Sequence, residues 1–303
     1  MSQPSDTFKV KDLPEQEYIL PGTRACSGCG MSLAYRFALK ALGSDTIITV
    51  PASCLTVLHG MQGFMSTTIP ILHTCFETTA AAASGIVASL RHQKLDEKIT
   101  VVGFAGDGGT ADIGIQALSG AAERGENFIY ACYDNEAYMN TGVQRSSATP
   151  YGAYTTTTPI IGKRQEKKNV PMIMAAHGIP YVATACASYP QDLFVKFQKA
   201  KTIRGTKYIH ILAPCPPGWG FNTKDCIKIG QLAVKTGFWP LYEIINGKFE
   251  LSNPSKALLN PTKRRPIEEY VTIQGRFRTL TEEDMAHYKD YITSLWENIE
   301  KML

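Results

Sequence analysis

Short apolar runs separated by helical patterns set the rhythm of this chain. "DTIITV" (45–50), "KITVVGF" (98–104), "NFIYACYD" (127–134) and "KYIHILA" (207–213) are β-branched or aromatic stretches that predict strands. Between them, segments 31–42, 77–91, 111–125 and 190–201 read as helices; in 111–125 the apolar positions Ile115, Leu118 and Ala122 recur at helical spacing. Nearly continuous apolar strands alternating with helices predict an α/β fold, a doubly wound and mainly parallel sheet covered on both faces. Such sheets bind ligands at the carboxyl ends of their strands. Residues 140–170 break the rhythm. They are rich in Thr, Ser, Gly and Tyr without periodicity, which predicts a loop packed over a ligand or partner. Beyond them come "PPGWGF", a helix near 223–235, "FWPLYEI", a Pro/Lys/Arg segment and a final amphipathic helix. Thr281 and Asp284 form a capping-box pattern at the start of that helix.

Composition narrows the function classes. A formal charge of +4 over 303 residues does not predict nucleic-acid binding. The basic groups Lys163-Arg164, Lys167-Lys168 and Lys263-Arg264-Arg265 read as solvated loops. The first twenty residues are polar and no apolar run is long enough to span a bilayer, so no membrane partner and a cytosolic location are expected. In that compartment the eight cysteines are expected as buried thiols or metal ligands, not disulfides.

The stretch "GFAGDGGTADIG" (103–114) fits two cofactors. Gly106, Gly108 and Ala111 satisfy a dinucleotide fingerprint, with Asp134 at the next strand end available for a ribose. Yet Asp107 projects a carboxylate into the place of the pyrophosphate. A hard cation between protein and diphosphate removes that conflict, and a second oxygen ligand is then expected at the end of the next strand. "YDNEAYMNTG" supplies Asn135, 28 positions after Asp107. This resembles the thiamine diphosphate motif. The resemblance assigns Asp107, the Asn135 side chain and the Ala137 carbonyl to Mg²⁺, and Gly106, Gly108 and Gly109 to close approach of the diphosphate. The plainer alternative is a strand-to-helix turn with Asn135 in an Asx turn.

"RACSGCG" carries Cys26 and Cys29 just before a helix. Cys54 and Cys215 each follow a predicted strand, on the rim that holds Gly106–Gly109, so four thiolates can converge beside the diphosphate loop. Spacing leaves zinc and a [4Fe-4S] cluster both open. Cys226, in a predicted helix, is the rival to Cys215. Cys132, Cys186 and Cys75 read as core thiols.

Together, "ACSGCG", the cysteine after the first strand, "GDGGTADIG", "DNEAYMNTGVQRSSATPYGA" and "APCPPGWGF" with "GFWPLYE" resemble the β subunit of the 2-oxoacid:ferredoxin oxidoreductases over most of residues 20–245. The resemblance implies a thiamine diphosphate-binding fold and a [4Fe-4S] cluster on Cys26, Cys29, Cys54 and Cys215. It also implies Asn140 facing the substrate, and a thiazolium ring that takes up the electrons left by loss of CO₂. Electrons then pass singly to ferredoxin, with coenzyme A as the usual acyl acceptor. The cofactor's aminopyrimidine falls to a separate α subunit, with γ and ferredoxin-like δ subunits completing the complex. Departures at "VPAS" before Cys54, at Met31 and in "LHGMQGFMSTTIPILHTCFET" leave the acid open between pyruvate and a relative such as oxalate. His73 and Glu77 lie in that altered stretch; Glu77 reads as a carboxylate at a helix N-terminus. The expected organisation is an arm (1–20), a cofactor and iron–sulfur domain (21–245) and a partner-contacting extension (246–303). Competing readings are a cluster-free thiamine decarboxylase or transferase subunit, a NAD- or FAD-dependent enzyme, and a zinc-stapled non-catalytic subunit.

Overall fold

In the computed structural model, which describes residues 10–61 and 63–303, eight strands form one sheet. They are β1 (Thr46–Pro51), β2 (Ile71–Thr74), β3 (Thr100–Gly106), β4 (Ile129–Asp134), β5 (Tyr181–Cys186), β6 (Lys207–Leu212), β7 (Tyr242–Ile245) and β8 (Lys248–Leu251). Their order is β2-β1-β3-β4-β6-β5-β7-β8, with β1 to β6 parallel and the β7–β8 hairpin added antiparallel at one edge. The four sequence-predicted strands are the central ones. β4, β5 and β6 are buried at every position, as their unbroken apolar patterns require.

Helices cover both faces. On one lie α1 (Gly30–Leu42), α2 (Cys54–His59) and α6 (Pro190–Thr202), around a core that includes Tyr35, Leu39, Phe104 and Phe197. On the other lie α3 (Thr79–His92), α4 (Ile115–Glu123), α5 (Val170–Ala176) and α8 (Cys226–Lys235), with the C-terminal helix Glu282–Met302. The capping box at Thr281 and Asp284 is formed, each residue's backbone N–H donating to the other's side chain. Tyr270, Phe277, Tyr288 and Trp296, all beyond residue 245, are buried in the same core as Phe238 and Trp239. No helix among the described residues is long and apolar enough to cross a membrane.

Successive strands run leftward from β1 to β2 and rightward from β3 to β4, so the order reverses between β1 and β3. A crevice therefore opens at the carboxyl ends of those two strands, where an open parallel sheet takes its ligands. The chain leaves β1 toward Cys54 and leaves β3 directly into Asp107.

Helix 111–125 differs from its expectation. Gly108–Asp112 forms a wider π turn, and α4 begins only at Ile115. A Cβ on Gly114 would stand 2.0 Å from the Gly109 carbonyl oxygen, so this close turn-on-turn packing requires glycine there. The N-terminal arm is described from Val10 onward; its first nine residues lie outside the described ones. The Lys40 ammonium donates to the Pro14 and Gln16 carbonyls and pairs with Glu17, tying the arm to α1.

Candidate functional site

Gly106 at the end of β3, Asp107, Gly108 and Gly109 beyond it, and Asn135, Ala137 and Asn140 after β4 line a single cavity of about 210 Å³ at the reversal point. Cys54, Phe76, Tyr138 and Met139 are among its other walls. One of the glycines has a packing role as well. A Cβ on Gly108 would meet the Tyr138 ring at 2.3 Å, so glycine leaves room for the aromatic wall. That wall is fixed by the Tyr138 hydroxyl, which donates to Asp112 Oδ2 at 2.6 Å.

Asp107 is 1% exposed. Burial, and behind it the charge of Asp134, push its carboxyl well above the usual carboxylate range, and a bond from Ser146 opposes them. The Asn135 side-chain oxygen position stands 3.0 Å from Asp107 Oδ1 and 2.9 Å from the Ala137 carbonyl oxygen. With its nitrogen turned inward, the amide donates to both. With its oxygen inward, that oxygen stands from each of the other two at about the edge length of an octahedron with metal–oxygen bonds of about 2.1 Å. The donor set and spacing fit Mg²⁺.

The turn carrying this oxygen trio is held from behind. Glu136 adopts a left-handed φ of 67° and is buried. Its N–H donates to Asp134 Oδ1, so Asp134, not Asn135, makes the Asx turn. Lys167 lies 2.6 Å from both Asp134 and Glu136. Although burial opposes ionisation, Lys167 and His210 hold Asp134 down at about 2. Its carboxylate is thereby committed to the interior, which removes it as the ribose ligand of a dinucleotide site. The loop 140–170 packs over the cavity's underside. Ser146 Oγ donates to Asp107 Oδ2 at 2.5 Å, and the buried Lys163 ammonium donates to the carbonyls of Ser147, Thr149 and Glu166. Lys163 and Lys167 are thus interior cations and not the solvated loop charges their sequence suggested, because each meets a concentration of carbonyl or carboxylate oxygen.

The cysteines divide in the same way. Gly30 N–H donates to the Pro214 carbonyl at 3.0 Å, pressing the Cys26–Cys29 turn against the loop that bears Cys215. Burial raises the Cys54 thiol to about 12, and the charges of Cys29, Cys26 and Asp107 add to the effect. Cys215 is raised to about 12 by burial and then by Cys29, Cys54 and Cys26. Cys226 is raised to about 11 by burial, with Cys29 alone of the cysteines adding to it; its thiol donates weakly to the Pro214 carbonyl at 3.8 Å. Cys132 and Cys186 are core thiols as expected. Cys75 is exposed instead, because it lies just beyond the edge strand β2. Among the described residues, no three His, Cys, Asp or Glu side chains are grouped to hold a single metal ion. His73 is exposed on β2, its ring 5.7 Å from that of His59, and the exposed Glu77 precedes the Thr78 N-cap of α3.

Comparison with known proteins agrees with this architecture. The family described as thiamine pyrophosphate enzyme, C-terminal TPP binding domain, matches residues 52–211. Pyruvate synthase subunit PorB of Methanothermobacter thermautotrophicus is 50% identical, covering 95% of this chain and 99% of that one. Ketoisovalerate oxidoreductase subunit VorB of Pyrococcus furiosus is 46% identical, covering 100% of this chain and 98% of the relative. The chain belongs to the 2-oxoacid:ferredoxin oxidoreductase β subunits. A solved 2-oxoglutarate:ferredoxin oxidoreductase from Magnetococcus marinus shares the fold, with TM-score 0.58 at 21% identity over 75% of this chain and 81% of that one. As a β subunit, the chain is one part of a multi-subunit oxidoreductase with a thiamine diphosphate-binding domain.

Sequence reasoning missed four residues that shape the site of this β subunit: Ser146, Lys167, Trp219 and Arg276. Ser146 and Lys167 carry no periodic signal inside an irregular loop. Trp219 and Arg276 reach the turn from segments 84 and 141 positions after Asn135. The Trp219 indole N–H donates to the Asn135 carbonyl at 2.8 Å.

Proposed function

We propose that this β subunit serves the oxidative decarboxylation of a small 2-oxoacid, pyruvate or a branched homologue, with electrons leaving through a [4Fe-4S] cluster toward ferredoxin. Asp107, Asn135 and the Ala137 carbonyl would hold Mg²⁺, and through it the diphosphate of thiamine diphosphate, in the Gly106–Gly109 crevice. Cys26, Cys29, Cys54 and Cys215 would hold the cluster. What supports that set is that the thiols of Cys54 and Cys215 each feel the charges of Cys26 and Cys29. Bound there, thiamine diphosphate supplies an electron sink for decarboxylation and the cluster a one-electron exit.

The chain's own residues prepare that chemistry. Phe76, Tyr138 and Met139 give the cavity apolar walls. Asn140, an exposed residue of the cavity lining, would donate an amide hydrogen bond to the acid. An α subunit would cover the outer part of loop 140–170, where Ile160 is 81% exposed, and complete the site. γ and ferredoxin-like δ subunits, ferredoxin, coenzyme A as acyl acceptor and a cytoplasmic location belong to the same reading. The acid is narrowed by kinship, since the relatives named above act on pyruvate and ketoisovalerate by their names.

The observation that carries this reading is the convergence of the Asn135 amide on Asp107 Oδ1 and the Ala137 carbonyl, in a cavity that Cys54 also lines. The test is anaerobic co-expression with the native partner subunits, followed by assay of iron, sulfide and thiamine diphosphate in wild type and Cys54→Ala. Wild type should hold the cofactor and four more irons per β chain than the variant. Reduction of the cluster by pyruvate, ketoisovalerate or oxalate then names the substrate. Equal iron in both proteins, or zinc in place of iron, overturns the cluster assignment.

A further inference from the structure

Glu136 stands between Asn135 and Ala137, which face Asp107, in a conformation that L-residues avoid. Its φ of 67° is tolerated only where the surroundings impose it. Those surroundings include a residue far outside the thiamine domain. Arg276, 3% exposed, places Nη1 2.6 Å from Glu136 Oε2. Its other nitrogens are occupied: Nε donates to Gln274 Oε1 at 2.9 Å and Nη2 to the Tyr270 hydroxyl at 3.3 Å. Its guanidinium also lies 3.7 Å from the centre of the Trp219 ring, and that indole donates to the Asn135 carbonyl. One buried cation therefore bears on both sides of the turn, through a carboxylate at residue 136 and through a tryptophan on the peptide of residue 135. Thr149 Oγ1 and Lys167 complete the restraint, at the Glu136 carbonyl and carboxylate.

We infer that Arg276 is a positioning residue for the metal–diphosphate turn, acting through Glu136 and Trp219 to keep the Ala137 carbonyl and Asn135 side chain aimed at Asp107. The inference rests on the thiamine diphosphate–Mg²⁺ reading. It adds that the segment beyond residue 245 sets metal affinity. A planar guanidinium is needed because it pairs and stacks at once, which an ammonium cannot do as well.

The experiment uses the native complex, stripped of metal and reloaded with Mn²⁺ and thiamine diphosphate, with bound Mn²⁺ read by electron paramagnetic resonance. Partners behind metal ligands typically change affinity about 10- to 100-fold. Arg276→Met should weaken Mn²⁺ binding by that factor, and Arg276→Lys should recover part of it. Breaking a buried ion pair can also unfold a chain. The double variant Glu136→Gln/Arg276→Met therefore removes both charges and leaves Lys167 paired with Asp134. A double variant that melts near wild type yet still binds Mn²⁺ weakly supports the inference. Wild-type Mn²⁺ affinity in the double variant, or in Arg276→Met, overturns it. A wild-type complex with no Mn²⁺ signal in the presence of thiamine diphosphate overturns the metal reading itself.

Discussion

Ser146 Oγ donates a 2.5 Å hydrogen bond to Asp107 Oδ2, leaving Oδ1 as the carboxylate oxygen that faces Asn135. The two carboxylate oxygens thus have separate duties. Ser146→Ala frees the carboxyl to rotate, and the Mg²⁺ concentration needed to retain thiamine diphosphate should rise about tenfold. Cofactor retention after gel filtration across a Mg²⁺ series measures this. Unchanged retention would mean that Ser146 only fills space.

The proposed cysteine assignment can be checked residue by residue. Serine at Cys26, Cys29, Cys54 or Cys215 should lower bound iron by about four per β chain, the content of the cluster itself. Serine at exposed Cys75 or alanine at Cys226 should leave iron unchanged. Iron loss in Cys226→Ala with iron retained in Cys215→Ser would exchange the two roles.

Much of this was legible beforehand, and for a physical reason. The central strands are buried on both faces, so their apolar runs announce them. Cys54, Asp107 and Asn135 follow such strands directly, so finding the strand finds the residue. What was hidden is what depends on contacts distant in sequence. β2 and β8 are four-residue edge strands with partly exposed patterns, and the equally short β7 is recognised only by its pairing with β5 and β8. Lys163 and Lys167 look like any loop lysine until a chain passing underneath supplies carbonyls or carboxylates. Arg276 sits in a short turn whose only sequence feature is a glycine, and nothing local marks its partner 140 positions upstream.

Gly30 tests how tightly the cysteine turn must dock. A Cβ there would stand 2.7 Å from the nitrogen and oxygen of Pro214, both backbone atoms with no side chain to swing away. Gly30→Ala should cost about 1–3 kcal/mol of stability, as overpacking of a close contact does. Because the displaced loop bears Cys215, iron content should fall with it. A variant with lowered melting temperature and full iron would show that the loop moves without disturbing the thiols.

Lys207 offers a control away from the cavity. It begins β6, is 3% exposed and donates to Asn127 Oδ1 at 2.8 Å. Burial, then the charge of Arg204, bring its ammonium down to about 7. Between that value and the ordinary lysine range the unfolded chain binds the extra proton, so stability rises with pH. The penalty is fully present below about pH 7 and fades as the solution approaches the unfolded lysine's own range near 10.5. Melting temperatures of wild type minus Lys207→Met should therefore increase across this window. A flat difference would show that Lys207 stays charged when folded.

The wiring of Arg276 to Glu136 has a consequence for how this polypeptide can be cut and joined. The thiamine family match ends at residue 211, and a linear map would place a severable module there or near 245. The ion pair, the indole bond and the shared aromatic core instead make the last sixty or so residues part of the cofactor's own foundation. A gene fission at either point would produce two fragments that each lack half of one buried charge pair. Splicing this subunit to a neighbour in a single reading frame should succeed only at its outer ends.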